Sequence, residues 1–234
     1  MKTQTVNDAA KTDASDSVAE RILDAAVHLA HSRSWEAIRL HQVADEMGLE
    51  LQELYQHFKQ KDDLVEAWYD RADRAMLADA AQEDYRQLSV RARFHRSIMC
   101  WLTSMQAHRD ISRQMLAYKF ELGHVHLQVL GLLRISRTVQ WILESAHRDA
   151  VHVQRVLEEI SLTSIYLATF AHWMFDSSRN AVKTSRYLDR LLSRAEAMAL
   201  LFTYTGTKHS QQGSAVDTGQ SSARRSDFEG NALH

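Results

Sequence analysis

The sequence predicts an all-α protein, and three observations carry that prediction. Proline is absent from all 234 residues, and four of the seven glycines (Gly206, Gly213, Gly219 and Gly230) fall beyond residue 204. Before that point apolar residues recur at three- and four-residue spacing, the period of a helix with one buried face. With so little to punctuate helices upstream, strands and hairpins find no support in the pattern.

Each element follows in order. Residues 1–16 are polar and read as disordered. Ser17-Val18-Ala19-Glu20 has the form of a capping box, in which the serine hydroxyl accepts from the third backbone N–H and the glutamate reaches back. It predicts a first helix starting there, with Ile22, Ala25, Ala26, Leu29 and Ala30 on one face. Trp35 and Ile38 occupy the turn that follows, and a second helix runs over about 39–47. Gly48 stands where a left-handed helix stop calls for glycine. A third helix covers about 51–57, and Lys61 opens a long fourth that reaches Ala80. From Asp84 on, breaks near Arg109-Asp110, Gly123, Arg148-Asp149 and Arg179 to Lys183 predict five more helices. Residues 205–234 turn to Gly, Ser and Gln with Phe228 as the only aromatic, and read as a disordered tail. The expected organisation is therefore a helix-turn-helix domain at 17–62 and a helical ligand-binding and dimerisation domain at 63–204, of which 63–80 is the connecting helix.

Composition excludes several classes of function. A single cysteine, Cys100, offers no disulfide framework and suits a reducing compartment, so a cytoplasmic location is expected. The N-terminal stretch lacks the apolar core of a signal peptide. The longest uncharged run, 160–175, is broken by Ser, Thr and His and is too short to span a bilayer. No glycine-rich phosphate loop and no nucleophile with base and orienter is present, so neither an enzyme nor a bound cofactor is expected. His124 and His126 lie about 200° apart on a helix and gain no Cys or paired carboxylate, so no metal site is expected. His28 and His31 do share a face, without an evident further ligand.

Three short helices, the last two joined at a glycine, make a helix-turn-helix, and residues 21–68 resemble the N-terminal domain of TetR-type transcriptional regulators. The resemblance is carried by Ile22-Leu23-Asp24-Ala25-Ala26, Trp35, Val43-Ala44, Gly48, Leu54-Tyr55, His57-Phe58, Lys61 and Leu64. It implies a protein that reads an operator in double-stranded DNA. In that family the start of the second helix, the third helix and the lysine opening the fourth touch phosphates and base edges. Carried over, those contacts are Arg39, Gln52, Tyr55, His57, Lys59 and Lys61. The sequence departs from the pattern at Glu50, Leu51 and Glu53, where the family usually supplies a Ser or Thr cap, a small residue and often a base. Charge runs the same way: residues 18–76 hold seven Lys and Arg against twelve Asp and Glu, whereas 77–204 hold sixteen against twelve. Affinity for DNA rests on neutralising phosphates, so the expected reading domain carries the wrong sign.

The C-terminal half is similar to the TetR-fold lipid-binding proteins of ubiquinone biosynthesis, through Ile165-Tyr166, Thr169, Met174, Asp176-Ser177-Ser178, Thr184, Arg186, Leu188, Ala197 and Met198. That resemblance implies a lipid carrier that does not bind DNA. Independently, Trp101, Met105, Met115, Tyr118, Phe120, Trp141, Tyr166, Phe170, Trp173 and Met174 are spread over several helices and predict an apolar pocket between them. The segment 151–175 is apolar on two sides, Val153, Val156, Leu157 and Ile160 along one and Leu162, Ile165, Tyr166, Phe170 and Trp173 along the other. Both sides must be covered, which predicts a homodimer through this helix and the next, 184–204. Two readings stay open from sequence: a ligand-responsive regulator with an apolar or lipid-like effector, and a non-DNA-binding lipid carrier of ubiquinone biosynthesis.

Overall fold

The computed structural model describes the backbone of residues 2–119, 125–146 and 152–199, and side chains over 17–119, 134–146 and 160–199. The chain forms two compact units, 1–188 and 189–234. Among the described residues of the first, these α-helices follow one another: α1 Lys2–Arg33, α2 Leu40–Met47, α3 Leu51–His57, α4 Lys61–Ala80, α5 Val90–Ser104, α6 Arg109–Lys119, α7 Val125–Ser145 and α8 His152–Met174. Short 3-10 turns lie at Glu83–Gln87, Gln106–His108 and Arg179–Ala181, and residues 182–188 are again helical. In the second unit residues 189–199 are helical. No strand occurs among the described residues.

The predicted bounds of α3 and α4 match the observed ones, while α1 does not start where expected. It takes in residues 2–16, read above as disordered, so Ser17 lies inside a helix and its capping box is not a helix start. Nothing in that stretch stops a helix from propagating backward: it lacks Gly and Pro, and Ala9, Ala10 and Ala14 are the best helix formers. The expected tail, 205–234, and Phe120 lie outside the described residues.

The head of the molecule is assembled around one small core. Ile22, Leu23, Ala26, Val27 and Ala30 of α1 bury against Trp35, Ile38, Val43, Ala44, Leu54, Phe58 and Leu64. Gly48 ends α2 at φ 64°, ψ 31°, the left-handed conformation that disfavours any side chain, and its N–H reaches back to the last turn. The Asp63 carboxylate accepts from the backbone N–H groups of Lys59 (2.9 Å) and Gln60 (3.2 Å), which fixes the corner between α3 and α4.

Beyond the head, α4 is held by charge. Asp62, Glu66, Asp70 and Asp73 recur at about one-turn spacing along one side of it. Lys119 of α6 lies 3.1 Å from Asp62 and pairs with Glu66; its side chain is 2 % exposed. Arg134 of α7 donates to Asp73 at 2.8 Å and pairs with Asp70, with 6 % of its side chain exposed. Arg137, half-exposed, adds contacts to Glu66 (3.2 Å) and Asp70 (2.9 Å). Asp73 also accepts from Trp101 Nε1 (2.7 Å) and Thr138 Oγ1 (3.1 Å). Burial pushes its carboxyl above the usual range, and Arg134 with those two donors pulls the other way. Trp101 in turn stacks on Tyr69 with ring centres 5.9 Å apart and meets Tyr166 and Phe170 edge-on at 5.4 and 5.6 Å.

A second polar anchor closes the end of α8. Asp176, buried, accepts from Ser178 N (2.8 Å), Thr184 N (2.9 Å) and Thr184 Oγ1 (2.7 Å). Burial alone would push its carboxyl up, but these hydrogen bonds together outweigh that and hold it well below the ordinary carboxylate range.

The ladder on α4 makes a stability prediction. Arg134→Met leaves Asp73 buried without its cation and is expected to lower the unfolding free energy by about 3–5 kcal/mol. Arg137→Met, at a half-exposed rung, is expected to cost under about 1 kcal/mol. Urea unfolding of the two variants beside the parent protein checks this, and equal effects would contradict the assignment of Arg134 as the interior rung.

Candidate nucleic-acid interface

The helix that the sequence assigns to DNA reading is presented to solvent by a single anchor. In α3 only Leu54 is buried; Leu51 and Tyr55 are 52 % and 57 % exposed, and Gln52, Glu53 and Gln56 are exposed as well. At about 100° per residue, Gln52 and Gln56 point opposite Leu54, with Tyr55 and Glu53 on the two flanks. Side-chain amides are suited to bidentate contact with an adenine edge, a leucine to a thymine methyl, and a tyrosine hydroxyl to a phosphate. Gln56 was not among the residues singled out from sequence, although its four-residue spacing from Gln52 was the available signal. Glu50 stands at the N-cap position without a side-chain cap hydrogen bond, while Glu53 lies in the first turn, where the helix dipole favours a carboxylate.

Arg39 and Lys61 converge. Arg39 Nη1 donates to the Glu36 carbonyl at 2.7 Å and Lys61 Nζ donates to the same oxygen at 3.0 Å. Lys61 also lies over the rings of Trp35 (5.4 Å) and Tyr118 (5.1 Å). Burial first, and the neighbouring Arg39 charge second, lower the Lys61 ammonium to about 8, against a smaller opposing effect of Glu36. The head therefore carries a pair of cations pressed together, an arrangement that an anion would relieve. Lys59 is exposed and His57 half-buried at the end of α3.

The acidic excess of this region is largely spent elsewhere. Glu20 and Asp24 hold Arg71, at 2.7 Å in each case, and Glu20 also pairs with Arg74. Asp62, Glu66, Asp70 and Asp73 face Lys119, Arg134 and Arg137, and Asp63 caps α4. Seven of the twelve acidic residues of 18–76 are thus engaged by partners outside α3. The net charge of the segment is not the charge of its exposed helix.

Of the residues predicted to line a pocket, Trp101, Tyr166 and Phe170 come together around a cavity of about 30 Å³, with Tyr69, Leu116, Lys119, Arg134 and Ile135 completing its wall. Sequence reading missed the two cations, because their partners are on α4. Met105, Met115 and Trp173 are buried but do not reach this cavity; Trp173 Nε1 donates to Gln106 at 2.6 Å. Tyr118 packs over Lys61 instead, and Trp141 is 45 % exposed. Among the described residues α8 shows two faces: Leu162, Tyr166, Phe170 and Trp173 are buried, whereas Ile160, Ser164, Leu167 and Ala171, with Phe175 just past its end, are exposed.

A family model described as bacterial regulatory proteins, tetR family, matches residues 22–68. Among solved structures, the TetR transcriptional regulator from Nitrosomonas europaea ATCC 19718 is 41% identical over 76% of this chain and 98% of its own, with a TM-score of 0.70. A TetR transcriptional regulator from Rhodococcus sp. RHA1, 17% identical over 74% of this chain and 92% of its own with a TM-score of 0.55, shares the fold. No curated protein matches the chain. The likeness to lipid-binding proteins of ubiquinone biosynthesis is not something these matches show. An identity of 41% to a regulator spanned almost end to end, together with the helix-turn-helix built on Gly48, establishes that this chain belongs to the TetR family of bacterial transcriptional regulators.

Proposed function

We propose that the chain reads an operator in duplex DNA through the outer face of α3, Gln52 and Gln56 meeting base edges and Tyr55 and His57 flanking them. Arg39, Lys59 and Lys61 then neutralise phosphates on either side. The observation that supports this reading is the exposure of Leu51 and Tyr55 on a helix pinned by Leu54 alone, since an apolar surface of that kind gains from being covered. No described helix is long and apolar enough to cross a membrane.

Homodimerisation through α8 belongs to the same proposal. Ile160, Leu167 and Phe175 line an outer face that nothing in the described chain buries, and a second copy of the same face covers it symmetrically. The effector is an apolar small molecule received beside the Trp101–Tyr69 stack. At about 30 Å³ the described cavity holds about one water, so such a molecule binds by widening it. Widening separates Arg134 and Lys119 from their rungs on α4, the helix that leaves the reading head. An effector acts this way only through its differential affinity for the two arrangements. The size of the described cavity gives no support to the lipid-carrier reading.

Two measurements test the proposal. Titration of duplex DNA at several salt concentrations should give a salt slope that flattens by about one unit in Lys61→Ala. Gln52→Ala should lose about 1–3 kcal/mol of discrimination at particular base pairs. Because free Lys61 loses its proton near pH 8 and only the ammonium attracts phosphate, affinity should fall as pH rises from 7 to 9. Lys61→Arg should remove that dependence. No salt-sensitive binding to any duplex would sink the DNA reading. For the dimer, Leu167→Glu with Phe175→Glu should convert a dimer to a folded monomer in sedimentation at micromolar concentration; a monomeric parent protein would end the idea.

A further inference from the structure

His31 sits in the last turn of α1, and His108 ends the 3-10 turn Gln106–His108 that precedes α6. Their rings meet across 77 residues of sequence, with His31 Nε2 2.7 Å from His108 Nδ1 and ring centres 5.0 Å apart. Packing sets this approach. Trp68 lies edge-on to the His108 ring at 5.8 Å, and its Nε1 donates to Ser112 Oγ at 3.0 Å, while Ser112 Oγ donates to the His108 carbonyl at 3.2 Å. The pair itself is open to water: His31 is exposed and His108 half-buried. A hydrogen bond between neutral rings in such a place competes with water and contributes little. A hydrogen bond is therefore a weak reason for holding two imidazole nitrogens so close.

We propose that His31 and His108 form a binding site for a divalent transition-metal ion, which fastens the end of α1 to the turn before α6. Nitrogen ligands bind such ions at about 2.0–2.1 Å. Two of them on one ion then lie about 2.9 Å apart at a right angle and about 3.4 Å apart at the tetrahedral angle. The hydrogen-bonded separation of 2.7 Å is shorter than either, so the exposed His31 ring turns to admit the ion, and imidazole suits Cu²⁺, Ni²⁺ and Zn²⁺ alike. On binding, the ring that donates the hydrogen bond between Nε2 and Nδ1 gives that proton to solvent and takes one back on its distal nitrogen, a tautomer change with no net proton release. Each neutral imidazole keeps one N–H and turns one lone pair to the ion.

The surroundings define the rest of the site. Among the described residues no three His, Cys, Asp or Glu side chains come together, so these residues supply two ligands and water can supply others. Asp24, two turns before His31 on α1, is engaged by Arg71 at 2.7 Å and stays outside the ligand set. His28, one turn before His31, is exposed. The site does not depend on the DNA or effector readings. It ties the first helix of the head to the helical domain behind it, so an occupied site restricts their relative movement.

The test is calorimetric titration of the full-length protein with nickel chloride at pH 7.5, beside His31→Ala, His108→Gln and His28→Ala. The parent protein and His28→Ala are expected to take up one more Ni²⁺ per chain, in the micromolar range, than His31→Ala or His108→Gln. Because both rings have open edges, circular dichroism melts of the two variants should match the parent in the absence of metal. Nickel should then raise the melting temperature of the parent and of His28→Ala alone. Equal stoichiometry and affinity in the parent protein and His31→Ala would overturn the site, as would a nickel-induced stabilisation that survives loss of either ring.

Discussion

The structure depends on one constraint: four carboxylates lie along one side of α4, and the interior must answer them. Asp62, in the first turn, and Asp73, past the middle of the helix, are buried at the two ends of that row, and Glu66 and Asp70 are partly covered between them. Taking a charge out of water costs several kcal/mol, and the cost is recovered only by a close, well-bonded partner. Lys119 on α6 and Arg134 on α7 provide those partners, so the positions of both helices are tied to α4 by charge as well as by packing. The aromatic cluster follows from the same arrangement, because Trp101 reaches Asp73 with its indole N–H while stacking on Tyr69.

α4 is at once the helix that follows the helix-turn-helix and part of the wall of the interior cavity. Its first turn contains Lys61, which touches Glu36, Trp35 and Tyr118, and its middle faces Arg134 at the cavity. Lys119 and Arg134 thus hold the same helix whose first turn follows α3. The same pairing explains how a protein whose N-terminal segment is acidic still belongs to a family of regulators. Glu20, Asp24 and the rungs of α4 are neutralised within the fold, and Arg39 and Lys61 stay together at the head. Of the other five acids of 18–76, Glu36, Asp45 and Glu46 lie on the preceding turn and α2, and Glu50 and Glu53 stand at the end of α3 where the dipole tolerates them.

Sequence by itself determined the helical class, the helix-turn-helix and its punctuation. Gly48 announced a left-handed stop because glycine adopts it without strain, Trp35 and Phe58, which carry part of the family resemblance, are buried in the head, and the predicted bounds of α3 and α4 match. Those are local properties, set by backbone sterics and helical period. The start of α1 was not legible, since a capping box is a weak signal in a segment where nothing else stops a helix. Tertiary structure alone decided which of the interior aromatics share a cavity, which acids are neutralised, and that His31 meets His108. Pairing across 57, 61 or 77 residues leaves no periodic trace in the chain. A charge count sums residues regardless of where they point, and only the packing of α6 and α7 against α4 assigns each charge its partner.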